Sequence, residues 1–380
     1  MAETSRQDPK RSILVIGGGI AGMSFAIRAR ELGHPVDLVE ADPDWRVAGA
    51  GISITGPTYR AIKRLGLLDE VMTEGFYIGT GSYICAPDGT VVAEVPMQRL
   101  EPDLPTAGGI LRPRLHRILS GRVRELGVLV RLGTTVVELT DEGRSVRASF
   151  GDGDCGDYDM VVGADGAFSS TRDRLFPDAP EPRYTGQYCW RMLAARPTEI
   201  DRPFFFLTGE VTAGLMPCSE EHMYLWLLEN APMRRRIDDA RAAAGLRELL
   251  APFGGPLGRL RDTIDSTTHV ISRPLDALLL QRPWHKGKVV LIGDAAHATT
   301  PHLASGAGIA IEDALVLAEC LAEGGEVEAI FSRFTERRWE RCRLVVESSV
   351  EIGAMQQAGG SPDKLNQLMH AAQQALNENI

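Results

Sequence analysis

Three short apolar runs in this chain stop on glycine. Ile13-Leu14-Val15-Ile16 runs into Gly17, Val161-Val162 into Gly163, and Val289-Val290-Leu291-Ile292 into Gly293. Unbroken runs of this kind read as strands buried on both faces, as in a parallel sheet. A helical pattern over 23–31 follows the first run, and a second strand, Val36-Asp37-Leu38-Val39, stops at Glu40. Helices are expected over 58–68 and over 111–126, where Pro113 sits in a first turn that tolerates it. A hairpin is expected over 79–97, turning at Pro87-Asp88-Gly89. Residues 100–109 read as a loop, and 128–139, 145–150 and 158–162 as strands. Between 187 and 274 the texture changes. There 187–196, 203–207, 212–216 and 222–228 read as consecutive strands, then one helix over 237–250 and a strand near 264–272. Strands without intervening helices predict an antiparallel sheet, inserted into the parallel one. Helices over 309–321, 331–352 and 364–376 close the chain.

Length adds that the 380 residues exceed what one core usually supports, so two or more domains are expected. A formal net charge of −10 argues against nucleic acid or an anionic membrane as partner. No apolar run reaches the roughly 20 residues of a membrane helix. Residues 1–10 lack the apolar core of a signal peptide and read as a disordered start. Cys85, Cys155, Cys189, Cys218, Cys320 and Cys342 form no C-x-x-C, and no histidine stands at zinc-ligand spacing. Reduced thiols, no metal and a cytoplasmic location are therefore expected.

The chemistry begins at the first glycine run. Gly17, Gly19 and Gly22 fit G-x-G-x-x-G between a strand and a helix. The first glycine allows a tight turn, the second a close approach of pyrophosphate, the third close packing of helix on strand. The helix N-terminus aims free N–H groups at the phosphates, and Glu40 can accept from a ribose hydroxyl. This pattern predicts a dinucleotide site and leaves NAD and FAD open. Gly49 and Gly51 permit close backbone approach to a flat or charged group. Arg112 and Arg114 open a helix, as a solvated basic end or a phosphate contact. Ser169 can cap the helix that carries Arg172. Trp190, Phe204, Phe206, Tyr224 and Trp226 stud the inserted strands, as core or as a surface for a flat ligand.

Taken together, Gly17-x-Gly19-x-x-Gly22 with Glu40, Gly163-Ala164-Asp165-Gly166 with Arg172, and Gly293-Asp294-Ala295-Ala296-His297 with Pro301 resemble one family. It is the single-component (class A) FAD-dependent aromatic hydroxylases of the p-hydroxybenzoate hydroxylase fold. The resemblance spans 11–345 and is nearest to compact, salicylate- or urate-hydroxylase-like members. It implies an α/β fold: a Rossmann-like FAD-binding domain (11–78, 100–180, 285–345), an inserted antiparallel substrate-binding sheet (79–99, 181–284), and C-terminal helices (346–380). It implies FAD, held at the pyrophosphate by Gly17, Gly19, Ile20, Ala21 and Gly22 and at the ribose by Glu40. Arg46 and Gly51 join the cofactor set. Arg112 lies along the FAD, Asp165 serves both FAD and NAD(P)H, Asp294 meets the ribitol, and Pro301 lies beside the isoalloxazine. Gly306, Ala307 and Gly308 open a helix whose N–H groups can stabilise negative charge on reduced flavin. Many relatives carry Gln where Ser305 stands, and Asn or Ala where Gly308 stands.

The implied reaction hydroxylates a small aromatic or heteroaromatic substrate with O2 and NADH or NADPH, through a flavin C4a-hydroperoxide, in a monomer or homodimer. His302, Pro301 and Tyr224 are the catalytic candidates, with Ser53 ranked beside Tyr224. His297 is read as structural, and Arg191 as a solvent-facing strand residue or a ligand of a substrate carboxylate. A related FAD-dependent oxidoreductase, halogenase-like or oxidase, and a non-enzymatic flavin-binding module remain as alternatives. No Gly-Trp-x-Trp-x-Ile-Pro stretch supports a halogenase.

Overall fold

The computed structural model describes residues 10–47, 49–207 and 211–380. The disordered start expected over 1–10 lies, apart from Lys10, outside the described residues. The three apolar runs and the Glu40 strand are neighbours in one six-stranded sheet. Its order is His285–Lys286, Val289–Leu291, Met160–Gly163, Ile13–Ile16, Val36–Glu40, Leu129–Leu132. All pairings are parallel except the short one at the His285–Lys286 edge. Ile13, Leu14, Val15 and Ile16 are fully buried, as a central strand covered on both faces requires. Helix Ile20–Glu31 packs on this sheet beside helix Gly306–Ala322, whose residues are nearly all buried.

The inserted region forms a seven-stranded sheet. Its order is Val270–Ala277, Arg183–Ala195, His222–Asn230, Val211–Pro217, Phe204–Leu207, Gly81–Cys85, Val91–Pro96. Every pairing is antiparallel except Phe204–Leu207 with Gly81–Cys85. Strand alternation splits the aromatics between its faces. Trp190, Phe204 and Phe206 enter a core covered by helices Asp239–Leu249 and Gly255–Asp262. Tyr224 and Trp226 face the other way, toward Ala50, Ile78 and Ala107. Those three belong to or adjoin a small sheet, Gly51–Thr55, Ala107–Leu111 and Phe76–Ile78.

Several boundaries differ from expectation. The loop expected over 100–109 ends in strand Ala107–Leu111, because Gly108 and Gly109 leave room for Tyr59 and Pro217 to approach. The single strand over 128–139 is two, Leu129–Leu132 and Val136–Asp141, parted at Gly133 with φ +73°. They belong to different sheets. The strand near 264–272 begins only at Val270, since Asp265 turns the chain by accepting from the Thr267 and Thr268 hydroxyls. One helix over 237–250 is followed by another, and 58–68 is broken into Gly56–Arg64 and Leu68–Glu74 at Gly66 (φ +77°). Among the described residues, no helix is long and apolar enough to cross a membrane.

Candidate functional site

Sheet order places the motif loops in a row. Reading across the carboxyl ends of adjacent strands gives Glu40, Gly17, Gly163 and Gly293. Adjacent strands lie about 4.8 Å apart, so an extended ligand lying across these ends meets all four. Backbone bonds knit the row: Gly17 N–H donates to Val39 O, Ala164 N–H to Ile16 O, and Ile292 N–H to Gly163 O.

The three glycines of the first loop have separable tasks. Gly17 has φ +106°, and a Cβ there would lie 2.4 Å from Ala164 O. A Cβ on Gly22 would lie 2.0 Å from Gly17 O, so helix and turn touch through this position. A Cβ on Gly19 would meet nothing within 4 Å; that position faces open space, where a phosphate can come close to backbone. Ile20 and Ala21 begin the helix, whose first N–H groups have no intrahelical partner. Glu40 accepts from Gly18 N–H (2.8 Å) and Asp42 N–H (2.8 Å), which fixes its carboxylate at the loop. Arg46 pairs with Asp42 and Asp44 at the exposed rim of the same recess.

Asp165 caps its own loop. It accepts from Thr171 N–H and Oγ1 (both 2.9 Å) and from the Ser169 hydroxyl. Ser169 in turn caps the helix by accepting from Arg172 N–H. Arg172 is 1% exposed and donates to Ala167 O and Ala295 O, tying the second loop to the third.

The third loop rests on a buried ionic cluster. Asp313 accepts from Gly293 N–H (2.8 Å), His297 Nε2 (2.6 Å) and Arg338 Nε (2.7 Å). Burial pushes the Asp313 carboxyl up, but His297 and Arg338 outweigh it and hold it down at about 2. Burial likewise opposes charge on His297, and Asp313 and Cys342 outweigh it, so the ring stays protonated. His297, Asp313 and Cys342 could surround a metal ion, but Arg338 and His297 already supply the positive charge there. Asp294 itself opens into the cleft. The protein around it pushes its carboxyl up, while His297 and Arg112 pull it back.

Pro301 begins the short turn Pro301–Leu303, and Ser305 leads into helix Gly306–Ala322. Gly308 is packed so tightly that a Cβ would lie 2.4 Å from Thr58 Oγ1, while Gly306 and Ala307 are half-buried. His302 turns to helix Val327–Gln357. Its Nδ1 meets Thr300 Oγ1 at 2.8 Å, and its ring lies against Gly353. Burial lowers its pKa to about 4, against a smaller opposing pull from Gln356. A ring this weakly basic is a poor proton acceptor at neutral pH.

Tyr224 and Ser53, ranked as alternatives, are partners: their hydroxyls share a 2.6 Å hydrogen bond. Burial raises the Tyr224 pKa, Cys218 adds to the rise, and Ser53 and Arg191 oppose it. Tyr224 is thus a neutral hydrogen-bonding group rather than a base. Gly51 is the reason it fits, since a Cβ there would lie 2.4 Å from the Tyr224 ring. Arg191, read either as solvent-facing or as a ligand of a substrate carboxylate, is half-buried beside Cys189 and Tyr224. Its charge also bears on Arg112. No carboxylate among the described residues pairs with either arginine. Burial pushes the Arg112 pKa down, and its Nε is buried without a partner. An unpaired guanidinium beside an open glycine and a helix N-terminus fits a pyrophosphate, so these residues suit FAD. Trp226 completes the wall. It lies against Gly214, where a Cβ would sit 2.5 Å from its ring, and edge-on to Phe205. Sequence reasoning passed over Trp226 and Arg191 as a pair, although they face one another across adjacent strands.

Comparison with known proteins agrees with this geometry. A family model described as "FAD binding domain" matches residues 10–349. YetM of Bacillus subtilis is 32% identical over 344 residues, covering 90% of this chain and 93% of YetM. The 2-heptyl-3-hydroxy-4(1H)-quinolone synthase of Pseudomonas aeruginosa is 31% identical over 347 residues, 87% of each chain. In fold, the chain is similar to Klebsiella pneumoniae HpxO complexed with FAD and uric acid, with TM-score 0.82 and 24% identity. That match covers 100% of this chain and 95% of HpxO.

Proposed function

The chain belongs to the FAD binding domain family, and from that premise we propose a monooxygenase that hydroxylates a small aromatic or heteroaromatic ring using NAD(P)H and O2. The observation that carries the reading is Arg191. It is a half-buried guanidinium with no carboxylate partner among the described residues, on the same sheet face as Tyr224 and Trp226 and close enough for its charge to bear on Arg112. A flat ring suits the Trp226 and Phe205 surface. A phenolate or carboxylate on that ring suits Arg191, whose charge lowers the pKa of a bound phenol. Tyr224, held by Ser53, offers a second polar contact.

When bound, FAD supplies the redox chemistry that activates O2 for transfer to the ring. The protein's residues bind and position. Gly17–Gly22, Glu40 and Arg112 hold the nucleotide half, Asp294 the ribitol, and Gly306, Ala307 and Gly308 the negative edge of the ring system. The apolar sheet face keeps water from the reacting region. Asp165 serves through its loop, with any contact to NAD(P)H transient. The six free cysteines support a reducing, cytoplasmic setting.

The test is FAD-loaded protein with NADH or NADPH and a panel of hydroxybenzoates, hydroxypyridines, quinolones and purines. We expect at least one ring to accelerate NAD(P)H oxidation and gain one oxygen by mass. Oxidation at equal rate with and without every ring, yielding only peroxide, would overturn the reading. Arg191→Gln should raise KM for an acidic ring about tenfold or more, as loss of a charge-assisted contact predicts.

A further inference from the structure

The ADP end of the cleft contains a group that no motif accounts for. Helix Arg112–Glu125 presents Arg112 and His116 four residues apart, hence on one face. Both line a cavity of about 110 Å³ with Gly18, Gly19, Ile20 and Glu40. His116 Nε2 is buried and has no hydrogen-bond partner, like Arg112 Nε one turn earlier. Trp45 packs edge-on against the ring at 5.4 Å between centroids. Trp45 is itself fixed by donating from Nε1 to Gly18 O (2.9 Å) and by Arg124 over its ring at 4.8 Å. Buried polar atoms left without a partner are rare and call for a ligand or water. Here the residue that carries the orphan atom lines the same recess as the dinucleotide loop.

We infer that His116 is a further FAD ligand, donating from its ring to the ribose–pyrophosphate segment of the nucleotide. The contact depends on FAD occupancy and stands whichever ring is the substrate. The charged groups around His116 are Glu40 from the neighbouring strand and Arg112 and Arg124 from its own helix; Arg46 lies at the rim of the cavity, paired with Asp42 and Asp44, and Ile20, Met23 and Trp45 carry no charge. Burial, with the two arginines, lowers its pKa below the usual histidine range against the pull of Glu40. A bound pyrophosphate adds negative charge and raises it. Binding therefore takes up a proton between the free and bound pKa values. Affinity is highest at low pH and falls as pH rises through the bound value.

The experiment measures FAD dissociation constants, by flavin fluorescence and by FAD retained on gel filtration, for wild type, His116→Gln and His116→Leu. Measurements run from about pH 5.5 to about pH 8.5, across the titration range of histidine. His116→Leu should weaken FAD about tenfold, the cost of a lost hydrogen bond to a charged group. Its FAD-free unfolding midpoint should not fall, since an unpaired polar atom is removed. His116→Gln should bind within a few-fold of wild type near neutral pH but lose the pH slope. Equal affinity of His116→Leu and wild type would overturn the assignment, as would a pH slope unchanged in His116→Gln. Should the Leu variant fail to fold, the Gln pH slope alone decides.

Discussion

Single residues in this molecule are set by what surrounds them as much as by their own chemistry. Asp294 stands at a strand end in an open cleft, with Arg112 and His297 supplying positive charge. Asp294→Ala should lower FAD retention about tenfold while leaving the unfolding free energy of FAD-free protein within about 1 kcal/mol of wild type. Unchanged flavin-to-protein ratio after gel filtration would remove Asp294 from the cofactor set. His302 carries a pH prediction. Its folded pKa of about 4 lies below the ordinary histidine value of 6.5, so the unfolded chain binds its proton more readily. The stability it contributes is present above about pH 6.5 and is lost as pH falls toward 4, by up to roughly 3 kcal/mol. Urea midpoints measured across that window should flatten in His302→Gln.

At the scale of elements, the cofactor loops depend on how helices are locked behind them. Helix Gly306–Ala322 brings Asp313 to Gly293, and helix Val327–Gln357 brings Arg338 to Asp313. Asp313→Asn keeps the shape and removes the charge, leaving buried Arg338 poorly balanced. We expect a loss of about 3 kcal/mol or more in unfolding free energy, together with weaker FAD binding as the Gly293 turn loosens. Gly353 is a second joint between elements. A Cβ there would lie 2.9 Å from both Gln187 Oε1 and His302 Cε1. Gly353→Ala should cost about 1–3 kcal/mol, read from chemical denaturation, and less in a His302→Ala background if that contact is the cause.

Across the whole molecule, the chain's last helix joins both halves of the nucleotide fold. Arg60 donates to the carbonyls of Leu376, Asn377 and Glu378, and Arg341 to those of Ala375 and Leu376. Leu303, next to the cofactor turn, packs on Ile352 and Ala372. Truncation after Gly360 would strip Arg60 of these acceptors, leave Arg341 with Glu312 alone, and uncover Leu303. The expected result is a fall in Tm of roughly 5 °C or more, with secondary structure elsewhere retained by circular dichroism. An unchanged Tm would show that the helix is only loosely docked.

By itself the sequence determined the strand-to-glycine loops, the acid at the end of the second strand and the change of texture after residue 187. These are local patterns: strand burial, turn geometry and a helix start are each specified within about a dozen residues. It could not determine which loops stand side by side, because strand order is a property of the whole sheet. Nor could it pair Tyr224 with Ser53, 171 positions apart, or bring Arg338 to Asp313 across two helices. Arg191 makes the same point. Strand alternation puts it opposite Trp190, but only the small sheet of Gly51–Thr55 and its neighbours decides whether that face meets water or a closed cleft. Burial, and with it every pKa shift that distinguishes Tyr224, His302 and His116, is a sum over distant segments. That sum exists only once the chain has folded.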